Sequence, residues 1–342
     1  MAIITAPVIS IVIPVLNGGD KFRHCLEAVS AADPPALEIV VVNDGGTEDL
    51  AFVQTEFGGR VVNLERTGGP AGARNRGVRE TTGDVLLFID ADVIVKPDII
   101  RQVSAVFEQE PDVSAVFGSY DDQPLETNFL SQYRNLLHHF VHQNGKPEAS
   151  TFWGACGAIR REDFEAVGGF DEARYPLPSI EDVDLGYRLK RTGKRIRLCA
   201  ELQVKHLKRW DAASVIRTDF FQRGLPWTEL IFRERNLLND LNTSTANRIS
   251  VVMALLLLGT AVLSFLLPSL LYATAACAII LLWLNRSLYL YFKKKRGTLF
   301  AAMTVPWHWL LFLESGIAFA TGLLLYRVLR TSKPAPLAQN GQ

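Results

Sequence analysis

The sequence is poor in cysteine and has no excess charge of either sign. Its four cysteines, Cys25, Cys156, Cys199 and Cys277, form no CxxC pair. That excludes a zinc knuckle or a disulfide scaffold and predicts free thiols in a reducing compartment. Lys plus Arg and Asp plus Glu both number 36, so net charge is zero. A protein that binds nucleic acid by bulk electrostatics needs a basic excess, so no nucleic-acid partner is expected. Met1–Ser10 lacks a basic n-region, and the apolar run Val8–Leu16 is interrupted by Pro14. This is not a secretory leader, and the first domain is expected to stay on the cytosolic side. Neither a GxGxxG turn after the first apolar run nor a P-loop is present, which excludes the Rossmann dinucleotide and P-loop readings.

What is present divides into two parts with different solvents. Up to about Asn247 the chain reads as a water-soluble domain, but Ile249–Leu284 contains no charged residue. As one straight helix that stretch would be about 54 Å long, against a hydrocarbon core of about 30 Å. Pro268-Ser269 is the natural turn, so a hairpin of Ile249–Leu267 and Leu270–Phe292 is expected. Arg248 before it and Lys293–Arg296 after it then lie on the cytosolic side. A third apolar stretch, Leu299–Tyr326, includes Pro306, His308 and Glu314. A full crossing would place Arg327, Arg330 and Lys333 outside; a re-entrant path would avoid this, and both readings stay open. The division expected is a catalytic domain over 1–240, a region of two or three membrane helices over 241–331, and a disordered Pro-, Ala- and Gln-rich tail over 332–342.

In the first part, Ile9–Val15, Glu38–Val42, Val85–Ile89 and Val113–Phe117 are β-branched apolar runs bounded by turn residues. Such runs are strands buried on both faces. Lys21–Ser30 and Ile99–Glu108 read as intervening helices, so an open α/β sheet follows, with ligands beyond the carboxyl ends of its strands. Those ends carry Pro14–Gly19, Asn43-Asp44-Gly45-Gly46 and Asp90-Ala91-Asp92. Alternation along the chain turns Asp90 and Asp92 to one side. Two hard oxygen donors suit Mg²⁺ or Mn²⁺ carrying a diphosphate; alone, they are equally a solvated turn. Asp44 can accept from a base N–H or simply start an Asp-Gly turn. Gly68–Asn75 opens a helix with small residues, from which Arg74 can reach phosphate. His138, His139 and His142 include an i,i+4 pair, as a helical metal site would, but no third ligand is apparent, and they read as surface or core histidines. The basic run over Lys190–Arg197 is a solvated helix end or a contact for anionic headgroups.

The ordered set IVIPVLN, VVNDGG, GGPAGARNRG, LLFIDAD, GACGAIRREDFEAVGGFDE and EDVDLGYRL resembles the family 2 glycosyltransferases, from about Val8 to Asn236. The resemblance implies a GT-A fold, a Rossmann-like mixed sheet, followed here by transmembrane helices. It implies an inverting, metal-dependent hexosyltransferase using a UDP- or GDP-sugar. By motif position, Pro14, Asn17 and Asp44 would meet the nucleotide, Arg74 would lie beside it, and Asp90 and Asp92 would hold the donor through the metal. His206 would be a third metal ligand or a structural histidine. Glu181-Asp182 matches the family's pair containing the base; Asp182 is the expected base, with Glu181 and Asp184 competing, and helix capping by acids is the plain alternative. Trp153, Gly154 and Glu181 would face the acceptor. In FQRGLPW, around Arg223, Gly224 and Trp227, the QxxRW of processive relatives is missing, which points to single additions. The expected acceptor is a lipid or lipid-linked glycan of the cell envelope, met by a multi-pass enzyme of the inner (plasma) membrane with a cytoplasmic active site. A polyprenyl-phosphate glycosyl synthase and an inactive membrane scaffold are the alternatives.

Overall fold

The computed structural model describes residues 7–234 and 241–332. The chain forms two compact units: Met1–Ala212 with Leu238–Ser244 and Ser287–Ala302, and Ala213–Leu237 with Thr245–Arg286 and Met303–Gln342.

The first unit begins β1 (Ile9–Val15), α1 (Gly19–Ser30), β2 (Glu38–Asn43), α2 (Ala51–Phe57), β3 (Arg60–Asn63), α3 (Gly69–Arg79), β4 (Val85–Ile89) and β5 (Val93–Ile94). It continues α4 (Ile99–Gln109), β6 (Val113–Tyr120), α5 (Phe129–Gln143), β7 (Glu148–Ala149), β8 (Cys156–Arg160), α6 (Arg161–Ala166), α7 (Glu181–Arg191) and β9 (Arg195–His206). The strand order is β3-β2-β1-β4-β8-β6-β9-β5, with β7 pairing off β9. β3, β2, β1 and β4 run parallel, while β8 is antiparallel to both β4 and β6. β4 is wholly apolar and buried, and β1 nearly so, because both faces are covered. Ile9, Ile11, Ile13 and Val15 pack with Phe22, Cys25 and Leu26 of α1 and Val103 and Phe107 of α4. On the other face, Val40 and Val42 pack with Ala73 of α3.

The four expected strands and two expected helices are present, with β6 running on to Tyr120. The antiparallel β8 was not legible as a strand. Its pairing, Ile89 with Cys156, brings the segment before it alongside the end of β4. β9 shifts register against β6 between Leu198 and Gln203, stays paired with it to Val204, and ends paired with β5, His206 opposite Val93. All four cysteines are free.

The second unit holds most of α8 (Ala212–Arg217), a π-helical turn at Thr218–Gly224, α9 (Leu225–Glu234), α10 (Thr245–Leu263) and α11 (Leu270–Leu284). After them come α12 (Arg286–Arg296) and α13 (Thr298–Ser332). α10 and the Thr298–Leu325 part of α13 are long and apolar enough to cross a membrane. The expected second hairpin arm, Leu270–Phe292, is not one helix. It bends by 64° between α11 and α12, where Asn285 Nδ2 donates to Ser250 Oγ at 3.1 Å and to Leu281 O at 2.9 Å. The third segment, by contrast, runs on through Pro306 as a single helix, with His308 and Glu314 buried.

Most of α12 groups with the first unit. Phe292 packs on Tyr133, Arg296 Nε donates to Gln132 Oε1 at 2.8 Å, and Lys295 pairs with Asp122. The expectations for the tail beyond Ser332, and for the side chains of Arg327 and Arg330, lie outside the described residues.

Candidate active site

β4 delivers Asp90 to the rim of the sheet, where its backbone is fixed on two sides. Its N–H donates to Ala155 O at 3.1 Å, and its carbonyl accepts from Cys25 Sγ at 3.5 Å. Asp92 follows through a short turn, and its carbonyl accepts from Leu207 N at 2.8 Å. The end of β9 is thereby tied to the acidic turn. His206 Nε2 lies 3.8 Å from Asp92 Oδ2. The His206 ring stacks on Tyr120 with centroids 4.0 Å apart and planes 13° apart. Burial pushes the Asp92 carboxyl above its ordinary range, with the charges of Lys208 and Lys21 acting the other way.

Arg74 is the electrostatic centre of the site. It is 4% exposed; Nη2 donates to Asp90 Oδ1 at 2.7 Å and Nη1 to Glu181 Oε1 at 2.9 Å. Its guanidinium also lies 5.4 Å from the centroid of the Phe170 ring. Burial opposes its charge, but Asp90, Glu181 and Asp182 together hold it protonated well above the usual range. Glu181 Oε2 accepts from Ser179 N at 3.0 Å, so both its oxygens are engaged within the protein. In this structure Arg74 and Glu181 form an internal pair. A buried cation must be matched by buried anions.

This arrangement separates the three acids that open α7. Glu181 is held by Arg74. Asp184 is buried, with Oδ2 accepting from Arg188 Nε at 2.8 Å. Asp182 is half-buried and takes only backbone donors among the described bonds: Gly154 N to Oδ2 at 3.0 Å and Val183 N to Oδ1 at 2.8 Å. Burial and then the neighbouring Glu181 push its carboxyl up to about 6, with the Gly154 N–H, Arg74 and the Val183 N–H acting against them. Gly154 is small for a reason: a Cβ there would lie 3.0 Å from Arg74 Cζ and 3.1 Å from Nη2.

The strand ends at β1 and β2 interlock. Asn17, at φ 51°, accepts from Thr47 N through Oδ1 at 2.9 Å. Pro14 is half-buried within β1. Asp44 is buried and accepts from Thr67 Oγ1 at 2.8 Å and Gly68 N at 2.7 Å. It therefore anchors the entry to α3, and each oxygen keeps a second lone pair for another donor. Asn43 does similar work unseen in the sequence reading: Oδ1 accepts from Gly46 N, and Nδ2 donates to Gly46 O and Asn63 Oδ1. The Asn-Asp-Gly-Gly run carried that signal as an Asx turn.

Trp153 stands among Tyr120, His138 and His142, with its centroid 4.8 Å from that of Tyr120 and 4.7 Å from that of His138. It packs against the core while remaining half-buried. His139 and His142 are core residues, with Nδ1 atoms 2.7 Å from Tyr120 O and 2.9 Å from Gly118 O. Burial pulls His142 down to about 4, so it stays neutral.

Among the described residues no group of three or more His, Cys, Asp or Glu side chains forms a ready metal cage. The donors nonetheless fit a hard divalent ion delivered with a ligand. Such ions are commonly held by one or two carboxylates, with substrate phosphates and water completing the shell. Asp92 and His206 approach each other without reaching hydrogen-bond distance, and Asp90 keeps one oxygen not taken by Arg74.

A parallel half-sheet, an inserted antiparallel strand and an acidic turn at the end of β4 define a GT-A type α/β unit. A mannosyltransferase from Pyrobaculum calidifontis, solved with GDP-Man and Mn2+, shares this fold, with a TM-score of 0.55 at 16% identity over 94% of this chain and 87% of its own. S. aureus TarS 1–349, solved with UDP-GlcNAc, gives 0.50 at 16% identity over 94% and 91%. Residues 10–168 match the Glycosyl transferase family 2 profile. An uncharacterized glycosyltransferase of Haemophilus influenzae is 29% identical over 53% of this chain and 61% of its own length. The pre-mycofactocin glycosyltransferase of Mycobacterium tuberculosis is 30% identical over 55% and 40%. The chain thus spans about three-fifths or less of these curated relatives in alignment.

Proposed function

We propose that the protein transfers one hexosyl group, with inversion, from a nucleoside-diphosphate sugar to an acceptor hydroxyl, with Asp182 as general base. The observation that carries this is the division of labour at α7: Glu181 and Asp184 are each bound to an arginine, which leaves Asp182 as the acid beside the acceptor-side segment Trp153-Gly154. Its raised pKa suits a base working near neutrality.

In the transfer, Asp182 takes the acceptor proton as the acceptor oxygen bonds to the anomeric carbon. The bond from that carbon to the diphosphate breaks, and its electron pair leaves with the nucleoside diphosphate. Asp90, Asp92 and His206 would hold the divalent ion, Mg²⁺ or Mn²⁺, which when bound neutralises charge on the leaving diphosphate. Asp44 and Asn17 shape the nucleotide end, and Arg74 fixes Asp90 and Glu181 relative to each other.

The apolar α10 and α13 support a membrane-borne protein and so a lipid or lipid-linked acceptor, reached from the cytosolic face of the inner membrane. Incubation of the full chain with a panel of UDP- and GDP-sugars, lipid extract and Mn²⁺ tests the reading. Release of nucleoside diphosphate with labelled lipid is expected, and Asp182→Asn should abolish it. Transfer confined to soluble acceptors would remove the lipid assignment, and unchanged turnover in Asp182→Asn would remove the base.

A further inference from the structure

The first unit carries two basic clusters, and they differ in what they touch. Over Lys190–Arg197 the cations meet acids of the same unit. Lys190 pairs with Glu148, Lys194 with Asp163, and both Arg195 and Arg197 with Glu110. Little of that charge is left for a ligand.

α12 is different. It ends in four consecutive cations, Lys293–Arg296, and contains no acid. Two of the four are held by the first unit: Lys295 pairs with Asp122, and Arg296 donates to Gln132 Oε1 and Asp122 O at 2.8 Å each. Leu288 and Phe292 are buried, with Phe292 against Tyr133 and Phe300. The other two cations, Lys293 and Lys294, are exposed and have no ion-pair partner among the described residues. Arg286, Leu290, Lys293 and Lys294 stand at i, i+4, i+7 and i+8, so they form one stripe opposite Leu288 and Phe292. All four are exposed, Leu290 at 62%. A leucine set among unmatched cations suits a surface that is anionic outside and apolar just beneath.

Chain connectivity places the stripe beside such a surface. α12 follows the apolar α11 at a bend of 64° and precedes the apolar α13. At the bend, exposed Trp283 has the Arg286 guanidinium 4.9 Å from its ring centroid. Tryptophan and arginine at the end of an apolar helix mark the headgroup level.

We propose that the Leu290–Lys293–Lys294 face of α12 docks on anionic lipid headgroups, with Leu290 entering the layer beneath them. This rests on the membrane reading above and not on the transfer reaction. One helix then grips lipid with one face and the α/β unit with the other.

The test uses the purified full chain in neutral detergent micelles, titrated with dansyl-labelled phosphatidylglycerol or phosphatidylcholine. Energy transfer from tryptophan is the readout. Wild type should prefer phosphatidylglycerol about 30-fold, roughly fivefold for each lysine, and lose the preference in about 1 M salt. Lys293→Gln/Lys294→Gln should lose most of it, Lys293→Arg/Lys294→Arg should keep it, and Lys190→Gln should match wild type. Equal affinity of wild type for the two lipids, or an undiminished preference in the glutamine pair, would overturn the assignment. Loss of preference in the arginine pair or in Lys190→Gln would do the same. The membrane reading is checked separately: wild type released from membranes by a carbonate wash without detergent would remove that reading, whereas wild type retained there with no lipid preference removes the headgroup assignment alone.

Discussion

The backbone N–H of Gly154 donates to Oδ2 of Asp182 across 3.0 Å, and the same glycine leaves no room between its Cα and the guanidinium of Arg74. The residue therefore fixes the carboxylate from one side and the cation from the other. Gly154→Ala forces a shift of a few tenths of an ångström or more in one of them. We expect turnover to fall by about tenfold or more, since small misplacements of reacting groups are costly, while the variant stays folded. Initial-rate kinetics alongside a thermal melt check this.

With Asp182 as the proposed base, its carboxyl sets the expected pH profile. Its carboxyl stands at about 6 in the fold, above the ordinary carboxylate range, so the proton leaves only as pH rises through that value. A base must be unprotonated, so kcat/KM should climb from pH 5 to a plateau near pH 7. Asp182→Asn should lose about 10²–10⁴ in turnover while still binding the nucleotide.

Arg74 is a stability residue as much as a site residue. Arg74→Ala strands Glu181 in the interior and should cost about 3–5 kcal/mol in denaturant unfolding. Arg74→Lys offers a point charge where two carboxylates need a planar fork. It should recover only part of that loss, and recovery to the wild-type level would contradict the bridging role.

His142 is buried neutral, and its pKa falls from about 6.5 unfolded to about 4 folded. The unfolded chain therefore takes up the proton first as pH falls. Stability attached to this residue is complete above about pH 6.5 and drains away as pH drops through 4, by about 3 kcal/mol in all. Unfolding midpoints at pH 7 and 4.5 should differ less in His142→Gln than in wild type.

His206 and its stacking partner give a metal prediction. Loss of the ring support in Tyr120→Ala should raise the half-saturating Mn²⁺ concentration roughly 10–100-fold, measured by nucleotide-dependent Mn²⁺ titration. His206→Ala should do at least as much. An unchanged titration in both would make His206 structural.

Much of this was legible in the sequence because single strands carry it. Val85–Ile89 announces itself by continuous apolar residues, and its acidic end needs no partner to be recognised. β8 does not announce itself: Cys156–Arg160 is short, and its meaning lies in pairing with β4. For the same reason the sequence reading did not pair Arg74 with Glu181. They are 107 residues apart, and nothing local shows that they face each other. The three acids at Glu181, Asp182 and Asp184 looked alike until their partners were known. In the apolar region, composition marked the segments that hold α10 and the Thr298–Leu325 part of α13. The bend at Asn285 depended on a hydrogen bond to Ser250, 35 residues earlier, which no hydropathy window contains.

The antiparallel insertion of β8 has one more implication. Because Ile89 and Cys156 share a ladder, the donor-side turn and the segment leading to Gly154 are welded into one chassis. Neither can drift without the other, so an inherited reaction is hard to lose and hard to alter from within the sheet. The stretch over 171–179 belongs to no strand or helix, so on the proposed reading change in acceptor choice can enter there while the ladder beneath it stays the same.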